Sequence, residues 1–395
     1  MFVANLAVDD VTWYHDRQGT VQCSGINFIQ DLPRFMVLLY ALQRFEVHDW
    51  DRNKDFLPVQ VEGKRCHESK IQDNDLGTVD LLLYTSHDER DGMVAKIFWG
   101  DEGRTSEPKI LDKVEKIANV HSTVQGHITE LLWHRGLTNP TSTIQEVFGV
   151  PEPTTGSRVL YILVFRKLYP IPKLYGKELF DVWYQCILCH FTLWKEGVYH
   201  RDINLGNLMW YRINGRLIGV LNDYDLSSLA DDPGPRGNER TGTVPFMALE
   251  RLTPEAQRGE VKHLYRHDLE SESFLPGKSR LLDEWATLGA IACGKEKLFF
   301  LFDRFSYQPP NLQTSQSDIG WSLWDLLMDC FQVLDIDAYN RRRRIRHLHH
   351  VQQGLMEGSG EQLDAKETIA DMDHMLSKFT GTMAWVKLSN LSASQ

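Results

Sequence analysis

The part of the chain best equipped for chemistry is a short stretch, residues 199–225. Its polar side chains that could act on a substrate or a metal are His200, Arg201, Asp202, Asn207 and Asp223. An amide oxygen and a carboxylate are ligands that Mg²⁺ accepts, with phosphates and water completing its coordination. A carboxylate such as Asp202 could accept the proton of an attacking hydroxyl. The stretch therefore suggests magnesium-dependent phosphoryl transfer.

Asn207 and Asp223 can serve one metal ion only if the chain between them turns back. Two apolar runs, 208–211 and 217–221, lie on either side of an Asn-Gly pair, Asn214-Gly215. This pattern is a strong signal for a hairpin with a type I′ turn. Such a hairpin returns Asn207 and Asp223 to the same end of two paired strands, where we expect them to be the metal ligands.

The elements around this stretch change in character along the chain. In the first 165 residues the pattern predicts a helix over 31–46 and then strands at 59–61, 79–84 and 93–99. A second helix is predicted from Ser106, followed by a strand at 159–165. One face of that second helix consists of apolar residues: Ile110, Leu111, Val114, Ile117 and Ala118. From Lys177 the pattern is helical, with further helices predicted over 281–303, 321–334 and 360–378. Two prolines between Arg166 and Pro172 indicate the junction.

Composition restricts the partners and the compartment. The formal net charge of −11 and the pI near 5.8 argue against binding to nucleic acid or to an acidic membrane surface. The apolar runs are far shorter than the roughly 18 to 20 residues that a membrane span needs, and the first residues lack the pattern of a secretion signal. Six cysteines in a chain of this length form no disulfide framework, so a cytoplasmic or nuclear location is expected.

One basic cluster near the end of the chain has two interpretations. Arg341 to Arg344, with Arg346, could form a nuclear import signal. The alternative is a solvated helix end whose charge is balanced by Asp335 and Asp337.

Several stretches together resemble the fungal-type protein kinase family of mushroom-forming fungi. They are residues 16–19, 26–45, 94–99, 183–186, 200–210 and 222–250, and the resemblance covers most of residues 12–350. It implies an α+β, two-lobed protein kinase-like fold with a small β-rich N-lobe and a larger helical C-lobe. The predicted domains are an N-terminal helix with the N-lobe (1–168), the C-lobe (169–380) and a tail (381–395). ATP and Mg²⁺ would bind between the lobes.

The resemblance also assigns roles. His200, Arg201 and Asp202 would form the catalytic motif with Asp202 as the base, Asn207 and Asp223 would hold Mg²⁺, and Thr243 would support Asp202 while Glu250 anchors the activation segment. Lys96 would grip the ATP phosphates, with Gly77 as the remnant of the glycine-rich loop. The acidic partner of Lys96 is Glu107 or Glu115. Glu107 is preferred because Pro108 places it in the first helical turn. The implied activity is that of an ATP-dependent serine/threonine protein kinase acting on a protein of unknown identity.

Four departures from the kinase pattern favour other interpretations. The glycine-rich loop retains only Gly77, Asn204 stands where serine/threonine kinases usually have lysine, and Asp225 replaces the glycine of Asp-Phe-Gly. After Asp268 the chain lacks the long apolar helix that the family resemblance predicts. A catalytically weak pseudokinase acting as a nucleotide- or partner-binding scaffold is therefore the first alternative. A small-molecule kinase is the second, although the resemblance of residues 241–250 to an activation segment argues against it.

Overall fold

The structure is a computed structural model of the chain. It describes residues 93–136, 140–147, 156–231, 242–273, 284–303, 317–352 and 368–393, parts of 149–154, and the backbone of six strands between Phe2 and Tyr84. The predicted helix over 31–46 lies outside the described residues.

The described strands are β1 Phe2–Ala4, β2 Thr12–His15, β3 Thr20–Gln22, β4 Pro58–Val61, β5 Lys64–Asp73, β6 Gly77–Tyr84, β7 Met93–Asp101, β8 Leu131–Gly136, β9 Arg158–Arg166, β10 Tyr169–Pro170, β11 Val198–Tyr199, β12 Leu208–Ile213, β13 Arg216–Leu221 and β14 Ser228–Leu229. The described α-helices are α1 Glu107–Ala118, α2 Thr141–Val147, α3 Gly176–Lys195, α4 Pro254–Gln257, α5 Tyr265–Ser273, α6 Ala290–Asp303, α7 Ser317–Gln352, α8 Ile369–Thr380 and α9 Met383–Ala393.

The chain forms two compact units, residues 1–108 with 130–167, and residues 109–129 with 168–395. The first unit contains three antiparallel three-stranded sheets, with strand orders β1-β2-β3, β4-β5-β6 and β7-β9-β8. Strand β9 is central in its sheet and buries four consecutive apolar side chains, from Ile162 to Phe165. The strands predicted at 59–61, 79–84, 93–99 and 159–165 are all confirmed.

Residues 109–129, which the predicted N-lobe included, group with the second unit. All five residues predicted for the inner face of α1 are buried, from Ile110 to Ala118. Beyond the helix, His127 Nδ1 lies 2.8 Å from the carbonyl of Gly219, and the Thr129 amide donates to the carbonyl of Leu221. These bonds join the segment after α1 to strand β13.

The hairpin predicted around Asn214-Gly215 is confirmed. Strands β12 and β13 pair in antiparallel register from Leu208 opposite Leu221 to the turn, where Asn214 and Gly215 have φ of 50° and 80°, as a type I′ turn requires. The back of the hairpin lies against α3 at Gly219. A Cβ at this position would come within 2.4 Å of the Val182 carbonyl, so only glycine allows the approach.

Helix α3 is the inner helix of the second unit. The spacing of apolar side chains from Leu179 to Trp194 predicts one buried face. Leu179 is only half-buried, and the other predicted residues are buried: Val182, Trp183, Cys186, Ile187, His190, Leu193 and Trp194. The short helix α5 packs against α3, α7 and α8, and the Trp183 indole donates to the carbonyl of Glu272 at 3.2 Å. The segment expected as a tail contains α9, whose buried Trp385 packs against α3.

Candidate active site

In the first unit, Lys96 and Glu107 form a close ion pair. Lys96 lies in β7 opposite Leu163 of β9, and its Nζ is 2.7 Å from Oε2 of Glu107. Glu107 begins α1, where a carboxylate is favoured by the partial positive charge of the helix N-terminus. Its side chain is fully buried, so Lys96 is needed to compensate a charge that water does not reach. The geometry holds the lysine ammonium at a fixed place on the sheet.

Glu115, the other candidate partner of Lys96, and Gly77 take no part in this ion pair. Glu115 is exposed on α1, so the carboxylate that pairs with Lys96 is that of Glu107. Gly77 opens β6 and pairs with Asp73 at the end of the β5–β6 ladder. Residues 74–76, between these strands, lie outside the described residues.

In the second unit, Asp202 is held by three hydrogen bonds. Its Oδ1 accepts from the backbone amide of Thr243 at 2.8 Å and from the Thr243 hydroxyl at 3.1 Å, and its Oδ2 accepts from Nδ2 of Asn207 at 3.1 Å. The same Nδ2 also donates to the backbone carbonyl of Asp202 at 2.8 Å. Three donors on one carboxylate fix both its position and the direction of its oxygens.

The hairpin brings the backbone of residue 207 to the start of the segment that carries Asp223. The Asn222 amide donates to the carbonyl of Asn207 at 2.9 Å, which continues the β12–β13 ladder by one step. Asp223 follows with φ of 65°, a left-handed conformation that aspartate tolerates better than most residues. The amide oxygen of Asn207 and the carboxylate of Asp223 are thus supplied from adjacent strand ends.

His200 and Arg201 position the backbone of the loop. The buried imidazole of His200 lies with Nε2 3.0 Å from the carbonyl of Asn222 and packs edge-on against Tyr224. Burial lowers the pKa of His200, which favours the neutral ring. Arg201 has φ of 69°, and its amide donates to Oδ2 of Asp268 at 3.2 Å. These contacts are structural supports for Asp202, which lies on the wall of a small cleft.

Asn204 takes part in the same network, which the sequence did not indicate. Its Nδ2 donates to the Thr243 hydroxyl at 3.1 Å, and its Oδ1 accepts from the Gly206 amide at 2.8 Å. The side chain is buried. Sequence reasoning treated position 204 only as a missing cation, because no local pattern links it to a residue 39 positions later.

Glu250 is the centre of a charged cluster that holds the end of the segment starting at Gly242. Its carboxylate accepts from Arg266 at 3.0 Å, from Nε2 of His267 at 2.8 Å and from Arg341 at 2.7 Å. Because Nδ1 of His267 accepts from the Leu264 amide, Nε2 carries the proton. Burial alone would raise the pKa of Glu250, but the His267 hydrogen bond and the two arginine charges hold it well below its usual value.

A second anchor of this segment comes from buried charges on α5 and α6. Nζ of Lys297 donates to the carbonyl of Met247 at 2.5 Å and lies 3.4 Å from Glu270, whose Oε1 accepts from the Leu249 amide at 2.8 Å. Burial lowers the pKa of Lys297, although the Glu270 charge opposes that shift. Sequence reasoning missed Lys297, yet its position between Cys293 and Leu301 on the buried side of α6 was a signal.

Across the described residues, no group of three or more histidine, cysteine, aspartate or glutamate side chains is arranged to hold a metal ion. Within the same ranges, no helix combines the length and apolar character that crossing a bilayer requires.

Comparison with known proteins identifies a kinase family. A family model described as fungal protein kinase matches residues 6–275, more than half of the chain, which confirms the predicted α+β, two-lobed kinase fold. The serine/threonine-protein kinase PkaA of Streptomyces coelicolor is 25% identical over 176 residues, which span 44% of this chain and 30% of that protein. The structure of the Cydia pomonella granulovirus kinase PK-1 aligns with a TM-score of 0.40 at 15% identity, over 68% of this chain and 89% of that chain.

Proposed function

Because the chain belongs to the fungal protein kinase family, we propose that it transfers the γ-phosphate of ATP to a serine or threonine hydroxyl of a protein. The observation that carries the proposal is the arrangement of Asp202, whose carboxylate accepts from Thr243 and Asn207. A carboxylate has about four acceptor positions, and the hydrogen bonds from described residues use three of them. One position on Oδ2 is therefore suited to the proton of a substrate hydroxyl, as a general base requires.

The side chains expected to hold Mg²⁺ have suitable chemistry. Asn207 commits its amide nitrogen to Asp202, so the oxygen of that amide is the atom left for a cation. Asp223 adds a carboxylate from the neighbouring strand end. Two protein oxygens are a usual share for Mg²⁺, which takes its other ligands from phosphates and water. When bound, Mg²⁺ would neutralise charge on the phosphates during transfer.

Lys96 would provide a cation for the ATP phosphates. Its ammonium is held at 2.7 Å by the buried Glu107, and it is partly exposed, so it can reach a ligand without losing its partner. A fixed cation needs no rearrangement when phosphate charge develops, which is the main requirement for this kind of catalysis.

Phosphate transfer is tested with the purified chain, γ-labelled ATP, Mg²⁺ and a panel of protein acceptors. Asp202→Asn keeps the size of the side chain and removes the base, so we expect transfer to fall by about 10² to 10⁴. Asp112→Asn, on the exposed side of α1, is the matched control and should leave the rate unchanged. Undiminished transfer by Asp202→Asn would reject Asp202 as the base.

The same assay separates the alternatives. A chain that binds ATP but transfers no phosphate to any acceptor would be a pseudokinase. Phosphorylation of an amino alcohol in the absence of any protein product would identify a small-molecule kinase.

ATP binding is tested by thermal shift with ATP and Mg²⁺. The variant Lys96→Met/Glu107→Gln removes both charges of the pair, so it avoids leaving a buried carboxylate without compensation. We expect a ligand-dependent rise in melting temperature for the unaltered chain and a much smaller rise for the double variant. Equal shifts would remove Lys96 from the nucleotide site.

A further inference from the structure

We propose that Asn204 is a positioning residue for Asp202 and acts through the hydroxyl of Thr243. The inference rests on the proposed function, because it concerns the residue assigned as the base. Its basis is a chain of hydrogen bonds, Gly206 to Asn204, Asn204 to Thr243 and Thr243 to Asp202, in which each donor and acceptor can be identified.

The orientation of the Asn204 amide is fixed by its neighbour. The Gly206 backbone amide can only donate, and it lies 2.8 Å from one end of the Asn204 side chain, so that end is the oxygen. The other end, 3.1 Å from the Thr243 hydroxyl, is then the NH₂ group. Because NH₂ can only donate, the hydroxyl oxygen accepts from Asn204.

That assignment determines the direction of the Thr243 proton. A hydroxyl has one proton, and with Asn204 donating to its oxygen, the proton is available to Oδ1 of Asp202 at 3.1 Å. The same carboxylate oxygen also receives the Thr243 backbone amide at 2.8 Å. Asn204 therefore selects the hydroxyl rotamer that supports Asp202, and without it the hydroxyl could rotate away.

Gly206 also constrains the side chain of Asn204. A Cβ at position 206 would lie 3.0 Å from Oδ1 of Asn204, closer than most real contacts, while its backbone does not require glycine through a positive φ. Gly206→Ala should therefore disturb Asn204 from the side opposite to Thr243. This gives two independent ways to perturb the same amide.

Asn204 therefore supplies a contact of its own at the position where serine/threonine kinases usually have lysine. The donors on the Asp202 carboxylate are an amide nitrogen, a backbone amide and a hydroxyl, all uncharged. Asn204 adds a fourth uncharged group behind the hydroxyl. The support for the base is thus achieved by oriented dipoles, which need no reorganisation during proton transfer.

The kinetic test is a double-mutant cycle with Asn204→Ala and Thr243→Val, and Thr243→Ser as the conservative control. We expect Asn204→Ala to lower kcat about 10- to 100-fold, with the KM for ATP changed less than about 2-fold. In the Thr243→Val background the same change should cost less than about 3-fold, because the hydroxyl that Asn204 orients is gone and only its long 3.4 Å bond to the Asp202 backbone carbonyl remains. Thr243→Ser should retain the full effect of Asn204→Ala.

Two kinetic results would overturn the proposal. One is an equal loss in both backgrounds, which would mean that Asn204 does not act through Thr243. The other is a raised KM for ATP with unchanged kcat, which would indicate a role in nucleotide binding.

Hydrogen exchange provides a readout that does not depend on activity, so failure of the proposed function can be told apart from failure of this inference. Asn204→Ala and Gly206→Ala should both speed amide exchange in a peptide spanning 242–250, whereas Asp112→Asn should not. Even if the chain transfers no phosphate, this measurement still tests whether Asn204 helps to hold Asp202 through Thr243. Exchange in both variants as slow as in the unaltered chain would reject it.

Discussion

Arg341 donates from Nη1 to Oε1 of Glu250 at 2.7 Å, joining residues 91 positions apart in the sequence. Arg341 also donates to Asp337 on its own helix at 2.8 Å. It is therefore part of the anchor for the segment that supports Asp202, rather than a member of a freely solvated basic run.

Arg341→Ala should destabilise the fold by about 1 kcal/mol, the usual contribution of one such charged contact within a network. In a chain of 395 residues that lowers the melting temperature by roughly 1 °C, because the entropy of unfolding grows with chain length. Arg342→Ala is the matched control, because Arg342 is exposed and its side chain donates to the carbonyl of Ala338 on its own helix. Thermal denaturation measures both, and equal melting temperatures would contradict the anchor role of Arg341.

His190 should make stability depend on alkaline pH. Its Nδ1 lies 2.8 Å from Glu272 and its Nε2 lies 3.2 Å from Asp268, with all three side chains buried. Burial disfavours the charged ring, but the two carboxylates outweigh it and raise the pKa of His190 to about 9. Since this exceeds the ordinary value of 6.5, the stabilisation is complete below about pH 6.5 and is lost as the pH rises through about 9.

The difference corresponds to roughly 3 kcal/mol, measurable as a falling free energy of unfolding between pH 7 and pH 10. Glu272→Gln removes one of the two carboxylates, so it should flatten this fall, while Glu255→Gln on the exposed side of α4 should not. The same slope in Glu272→Gln and the unaltered chain would show that His190 does not titrate as expected.

Gly219→Ala should be strongly destabilising. The new Cβ would meet the Val182 carbonyl at 2.4 Å, which forces the hairpin away from α3 and costs about 3 kcal/mol or more. Gly289→Ala is the control, since a Cβ there has no atom within 4 Å. Urea denaturation of both variants checks the prediction, which fails if they unfold at the same concentration.

Trp385→Ala should cost about 3 to 5 kcal/mol, as for other buried tryptophans. The indole is 3% exposed, and its ring centroid lies 5.6 Å from Phe180, 5.4 Å from Trp183 and 5.1 Å from Tyr184. Val386→Ala, at a position 47% exposed, should change stability by less than about 0.5 kcal/mol. Calorimetry of the two variants provides the comparison, and similar losses would mean that α9 contributes little to the folded core.

Local patterns allowed the correct prediction of the elements that carry the candidate site. The Asn214-Gly215 turn, the buried face of α1 and the strand at 159–165 all follow from residues close in sequence, where periodicity and turn chemistry are decisive. The Lys96–Glu107 pair is expected from the resemblance to protein kinases, which leaves Glu115 as the other candidate, and Pro108 favours Glu107.

The contacts that the sequence could not indicate join distant positions. Asn204 and Thr243 are 39 positions apart, and Lys297 and Met247 are 50 apart. Each pairs a polar side chain with a distant partner, so the contact depends on the tertiary fold of the second unit rather than on local sequence. Charge patterning left Arg341 in a nuclear import signal or in a solvated helix end balanced by Asp335 and Asp337. The structure shows the bond to Asp337, whereas the bond to Glu250 was not predicted.

The β12–β13 hairpin is fixed at two places, by its tight turn and by the contact of Gly219 with α3. Its open strand ends are therefore held rigidly. Asn207 directly precedes β12 and Asp223 follows β13, so strand pairing sets the interval between these two residues. A substitution elsewhere that leaves this strand pairing intact is therefore expected to leave the interval between the two residues unchanged.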